Sequence, residues 1–119
     1  MRITKLLCLL AGLLLVTVEA VAEEDAELAK AALSVLRTHC YRCHGQDGAN
    51  EGGMAYVLDR DRLLASRKIV PGKPNETPLF TKMVKGKMPP PDVKQRPEAA
   101  ELEVVKRWIE RGAPSAMPP

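Results

Sequence analysis

Residues 40–44 read Cys40-Tyr41-Arg42-Cys43-His44, and this pentapeptide constrains the chain more than any other feature. On a helix, positions i and i+3 share one face about 4.5 Å apart along the axis, from the 1.5 Å rise per residue. Two thiols at that spacing can reach two neighbouring carbons on one edge of a flat ligand. His44, four residues after Cys40, carries an imidazole to the same side. C-x-x-C-H in this order is the attachment signature of c-type haem. Cys40 and Cys43 are therefore the expected covalent anchors, and His44 the expected iron ligand.

The rival readings of the pentapeptide are weaker. A thioredoxin-like C-x-x-C sits at a helix start after a strand, whereas this one follows an amphipathic helical pattern with no βαβ context. Zinc wants four ligands in a tetrahedron. His39, Cys40, Cys43 and His44 are too crowded on one turn for that, and the chain has no other histidine. A Cys40–Cys43 disulfide in a haem-free interaction domain is the plain alternative, but so small a loop staples little. His39 is read as a bystander or a surface group near the haem edge, not a ligand.

The N-terminus bears on the cysteine count. Arg2 and Lys5 precede an apolar run, Leu6–Val18, and Ala20-Val21-Ala22 is a small-x-small cleavage site before Glu23-Glu24-Asp25. Residues 1–22 are expected to be a secretory signal peptide, and the thirteen-residue run is too short to span a bilayer. Cleavage after Ala22 removes Cys8 and leaves Cys40 and Cys43 alone, in a periplasmic or secreted protein. The chain has 119 residues and a formal charge of +3, too small and scattered a charge to argue for nucleic acid. With aromatics at 3%, a domain this short needs a staple. A large apolar haem at the centre of the core supplies one.

The remaining pattern is helical, with no convincing strand alternation. Leu28, Ala32, Val35 and Leu36 predict a helix over 25–39, capped by Asp25. Gly45, Gly48, Gly52 and Gly53 mark a loop. A short helix is expected over 59–66, with Leu63 and Leu64 inward. Thr77-Pro78 predicts a capped helix over 78–85 ended by Gly86, and 87–91 a rigid loop. The last helix opens at Pro97, carries Leu102, Val105, Trp108 and Ile109 as one apolar stripe, and closes at Gly112. It should cross the first helix. The domain is expected over 23–114, with a disordered tail at 115–119.

Methionine is the expected sixth iron ligand, and the candidates are Met54, Met83, Met88 and Met117. Met83 lies on an inward stripe and reads as core filler, and Met117 lies in the tail. Met88 is favoured over Met54, because Pro89-Pro90-Pro91 restrict the backbone around a weak thioether donor. Lys82, Lys85, Lys87 and Lys94 surround this loop, either as a solvated face or as a basic rim that steers an acidic redox partner.

The haem signature with Gly45, Gly52-Gly53, Val70-Pro71-Gly72-Lys73-Pro74, Thr77-Pro78-Leu79, Gly86-Lys87-Met88-Pro89-Pro90 and Trp108-Ile109-Glu110-Arg111-Gly112-Ala113 resembles, in that order, the planctomycete-type cytochrome c domain. The resemblance covers roughly Ala32 to Pro114. It implies an all-α class I cytochrome c fold, His44 and Met88 as axial ligands, and electron transfer. The expectation is thus an exported monohaem carrier of single electrons, a monomer and not an enzyme. Its alternatives are a haem-based sensor or structural module with an open sixth position, and a cytochrome subunit of a larger redox enzyme.

Overall fold

The computed structural model describes residues 2–117, with side chains from Val18 onward. The charged start and most of the apolar run of the expected export signal, and the last two residues of the expected tail, lie outside the described side chains. Among the described residues the fold is all α, without strands. Helices α1 (Arg2–His39), α2 (Arg60–Ala65), α3 (Pro78–Val84) and α4 (Ala99–Glu110) are joined by loops holding three single 3-10 turns. No described helix is long and apolar enough to cross a membrane.

The helix expected over 25–39 forms the second half of α1. Asp25 does not cap it, because no proline or turn residue interrupts the chain upstream and the helix runs through that position. Asp25 instead accepts from Nε (3.0 Å) and Nη2 (2.9 Å) of Arg111, just past α4. Ala29, Ala32, Val35 and Leu36 are buried together with Val105, Trp108 and Ile109 of α4. The alanines lack bulk beyond Cβ, and the two helices form the most extensive helix–helix contact of the fold. Trp108 is fully buried, and its indole N–H donates to the Pro114 carbonyl at 2.9 Å, so the ring is packed without an orphaned donor. That bond also draws the chain after α4 back across the core, where Ala113 is buried and Ala116 packs against it.

The shorter elements follow local chemistry. Asp59 caps α2, its carboxylate accepting from the Arg62 amide at 3.1 Å, and Leu63 is buried while Leu64 is half-buried. α3 begins at Pro78 as expected, but Thr77 makes no side-chain cap. Its hydroxyl is fully buried and otherwise engaged: it accepts from the Val70 amide at 3.1 Å and donates to the Lys73 carbonyl at 2.9 Å. A buried hydroxyl takes whatever partners are nearest, and here they are the returning 70–73 turn. α4 starts one residue beyond Glu98 rather than at Pro97. Glu98 and Glu101 satisfy each other's orphan amides in a capping box.

Trp108→Ala should therefore cost about 3–5 kcal/mol in denaturant unfolding of the haem-loaded protein. A loss within about 0.5 kcal/mol, the scale of surface changes, would remove the α1–α4 contact as the core of the fold.

Candidate functional site

The end of α1 delivers the cysteines. The helical pattern persists for one bond beyond His39, from the Cys40 amide to the Leu36 carbonyl at 2.9 Å. It then tightens into turns in which the Cys43 and His44 amides both bond the Cys40 carbonyl. Cys40 is half-buried, Cys43 is exposed, and both are free thiols. Burial, with Cys43 adding to it, pushes the Cys40 thiol up to about 11, so Cys40 is a neutral S–H at physiological pH. Thioether formation needs reduced sulfur, because it is S–H that adds across a carbon–carbon double bond.

The loop after the motif folds back onto it. The Glu51 amide bonds the Cys43 carbonyl at 3.1 Å, and the Val57 amide bonds the His44 carbonyl at 3.2 Å. Gly45 makes the reversal possible. Its φ is +149°, and a Cβ there would stand 3.0 Å from the Tyr41 ring and 3.1 Å from the Ala55 carbonyl. Any side chain would have to displace one or the other.

The same loop orients His44. Its Nδ1 lies 3.0 Å from the carbonyl oxygen of Met54. A carbonyl can only accept, so Nδ1 carries the proton and Nε2 keeps its lone pair. A histidine whose far nitrogen is tied to a carbonyl is the usual arrangement of an iron or zinc ligand. No residue type announces this bond, since the acceptor is backbone. The glycines at 45, 48, 52 and 53 mark the loop in the sequence without saying where it returns.

Cys40, Cys43 and His44 line a cleft whose other wall comes from α3 and the segment after it: Pro78, Leu79, Lys82, Met83, Met88 and Pro90. Met54, Val57 and Lys68 also face it. The cleft has a volume of about 320 Å³, at the lower end of what small-molecule and cofactor sites occupy, about 300–1,000 Å³. Its lining is mostly apolar, its thiols are reduced, and its one imidazole presents an unprotonated nitrogen. These residues fit a haem. Three methionines reach the cleft. Met83 is buried in the core, in keeping with a filler role. Met54 is tied through its carbonyl to the far side of His44. Met88 is the exposed one, 37% accessible. Met117 lines a different pocket, with Tyr41 and Tyr56.

His39 is not a surface group. Its side chain is 3% exposed, and Nε2 donates to both oxygens of Glu101, at 3.1 and 3.2 Å. Its Nδ1 is buried without a partner. One turn before Cys43, the packed α4 takes up the imidazole that sequence placed near the haem edge. Among the described residues no three His, Cys, Asp or Glu side chains converge as metal donors.

Residues 40–92 match the family described as Planctomycete cytochrome C. No curated protein and no solved structure matches the chain. The matched segment begins at Cys40, the first cysteine of the C-x-x-C-H motif, and ends just past the proline run, so it spans both walls of the cleft. Over this segment the chain is similar to a planctomycete-type cytochrome c domain.

The His39–Glu101 tie has a pH signature. The Glu98 amide first, and His39 second, hold the Glu101 carboxyl below the ordinary glutamate range. The folded value is depressed, so this contribution is fully present above the unfolded value, about 4.3. It is lost as pH falls through the lower folded value. Glu101→Gln should lower the melting temperature near neutral pH and flatten its fall as pH drops below the ordinary glutamate value of about 4.3. An unchanged slope would show that Glu101 does not link α1 to α4.

Proposed function

We propose that this chain, which carries a planctomycete-type cytochrome c domain over residues 40–92, is an exported monohaem carrier of single electrons. One haem is joined through Cys40 and Cys43 and ligated by His44 and Met88. The observation that carries the reading is the convergence of all four residues on one apolar cleft, with His44 turned by the Met54 carbonyl so that Nε2 is the free donor.

Bound haem iron supplies a ferrous–ferric couple, and the rest is the work of the chain. Cys40 and Cys43 fix the macrocycle at two points of the same turn, so its position does not depend on iron ligation. His44 gives a nitrogen donor made more basic by its bond to Met54. The Met88 thioether is a soft donor that favours the reduced iron and raises the potential. Val57, Leu79 and Met83 keep water from the cleft floor, which limits the reorganisation that accompanies a change of charge. The N-terminal pattern through Ala22 supports delivery to the periplasm or the exterior through a cleaved signal peptide.

Lys82, Lys85, Lys87 and Lys94 are all exposed around the Met88 loop, and Lys82 reaches the cleft itself. The rim suits an acidic redox partner drawn in by long-range attraction. Electron exchange with such a partner should slow steeply as salt rises. A rate indifferent to salt would leave these lysines as a solvated face.

The cofactor and its ligands are tested together on protein made with a haem-attachment system. Cys40→Ala and Cys43→Ala should each weaken covalent retention, and the double variant should lose its haem to acid–acetone extraction. Retention in the double variant would exclude thioether attachment. In the ferric protein near neutral pH, Met88→Ala should abolish the weak near-infrared sulfur-to-iron band and lower the potential, while Met54→Ala and Met83→Ala keep the band. Loss of the band in Met54→Ala alone would transfer the sixth position to Met54. A wild type without the band that binds carbon monoxide freely would turn the reading to a sensor.

A further inference from the structure

The segment after Met88 has a hydrogen-bonding deficit. Pro89, Pro90 and Pro91 contribute three carbonyls and no amide hydrogen, so none of the three can donate a backbone bond. On its N-terminal side the loop is fixed by α3, through the Lys87 and Met88 amides on the Lys82 carbonyl, at 2.9 and 3.2 Å. Beyond Met88 one backbone bond remains, from the Val93 amide to the Pro90 carbonyl at 2.9 Å, and the Pro89 carbonyl receives none.

Arg96 supplies the missing donors. Its Nη2 donates to the carbonyls of Gly86 at 3.0 Å and Pro89 at 2.8 Å. Its Nη1 donates to Pro90 at 2.9 Å, with a longer contact to Val93 at 3.4 Å. The acceptors lie on both sides of Met88 in sequence, so one planar group closes the loop across it. None of the ion pairs among the described residues includes Arg96. Its hydrogen bonds all go to carbonyls of this loop, and none reaches α1 or α4. Bonds from a charged donor are about twice as strong as neutral ones, and a rigid fork loses little freedom in making several.

We propose that Arg96 is the positioning residue for Met88: its guanidinium, bonded across Gly86, Pro89 and Pro90, holds the thioether where the iron needs it. This rests on Met88 being the sixth ligand. A thioether is a weak donor, so its occupancy depends on how seldom the loop swings away. A clamp that touches only the loop acts on that equilibrium and leaves the α1–α4 core alone.

The test uses ferric holoprotein with Arg96→Ala, Arg96→Lys and, as reference, Met88→Ala. Cyanide enters through the open form, so at fixed cyanide Arg96→Ala should bind it faster by on the order of tenfold, the effect of losing one charged hydrogen bond. The near-infrared sulfur-to-iron band should vanish in denaturant well before the helical circular dichroism. Arg96→Lys should resemble Arg96→Ala, because an ammonium cannot span the three carbonyls, and it serves if Arg96→Ala retains too little haem. A wild-type cyanide rate in either variant overturns the proposal. So does loss of the band together with the helices, which would make Arg96 merely structural. A wild type without the band, or a Met88→Ala that keeps it, overturns the ligand assignment and the proposal with it. A normal reference pair beside unchanged Arg96 variants sinks the Arg96 role alone.

Discussion

The contact between α1 and α4 is the support on which the site stands. Cys40 follows directly on α1, and the buried stripe of that helix ends at Leu36, one turn earlier. Trp108 and Ile109 close over this stripe with no measurable exposure, and His39 on α1 is bonded to Glu101 on α4. The direction in which the thiols leave the helix is thereby set by packing some distance from the cleft. The same helix pair receives the returning chain: the Gly72 amide bonds the Ile109 carbonyl at 2.7 Å, which anchors the turn leading into α3. Both walls of the cleft are thus referred to α4, one through α1 and one through the 70–77 turn, where the buried Thr77 hydroxyl ties the turn to the start of α3.

Backbone carbonyls do the fine orientation. Met54 holds the imidazole of His44 by its carbonyl, and four carbonyls around Met88 gather on Arg96. In the first case a carbonyl selects a tautomer, and in the second an arginine replaces amides that proline removed. In each arrangement a side-chain N–H meets backbone acceptors of a loop that borders the cleft.

The parts of this structure that were legible in sequence are local. The C-x-x-C-H spacing states its own geometry, because five adjacent residues on a turn have little freedom. The stripe on α4, its early glutamates and its closing Gly112 describe that helix almost completely. Met83 as filler follows from its place on the inward face of α3. The misreadings concern side chains whose partners lie elsewhere in the chain. Asp25 was given to a cap and found an arginine 86 positions away. Thr77 stands at the cap position of α3, but its hydroxyl is drawn into the 70–73 turn. His39, read as a bystander or a surface group near the haem edge, lies buried beside Glu101.

By itself the sequence determined the all-α character, and it named the candidates for a haem site, Cys40, Cys43, His44 and the methionines, since each depends on residue type at fixed spacing. Tertiary structure alone decided which nitrogen of His44 is free, which methionine stands exposed at the cleft, and what holds the loop that bears it. The reason is physical. A carbonyl oxygen is present at every residue and so leaves no mark in sequence, and Arg96 differs from any other surface arginine only after the chain has turned four such oxygens toward it.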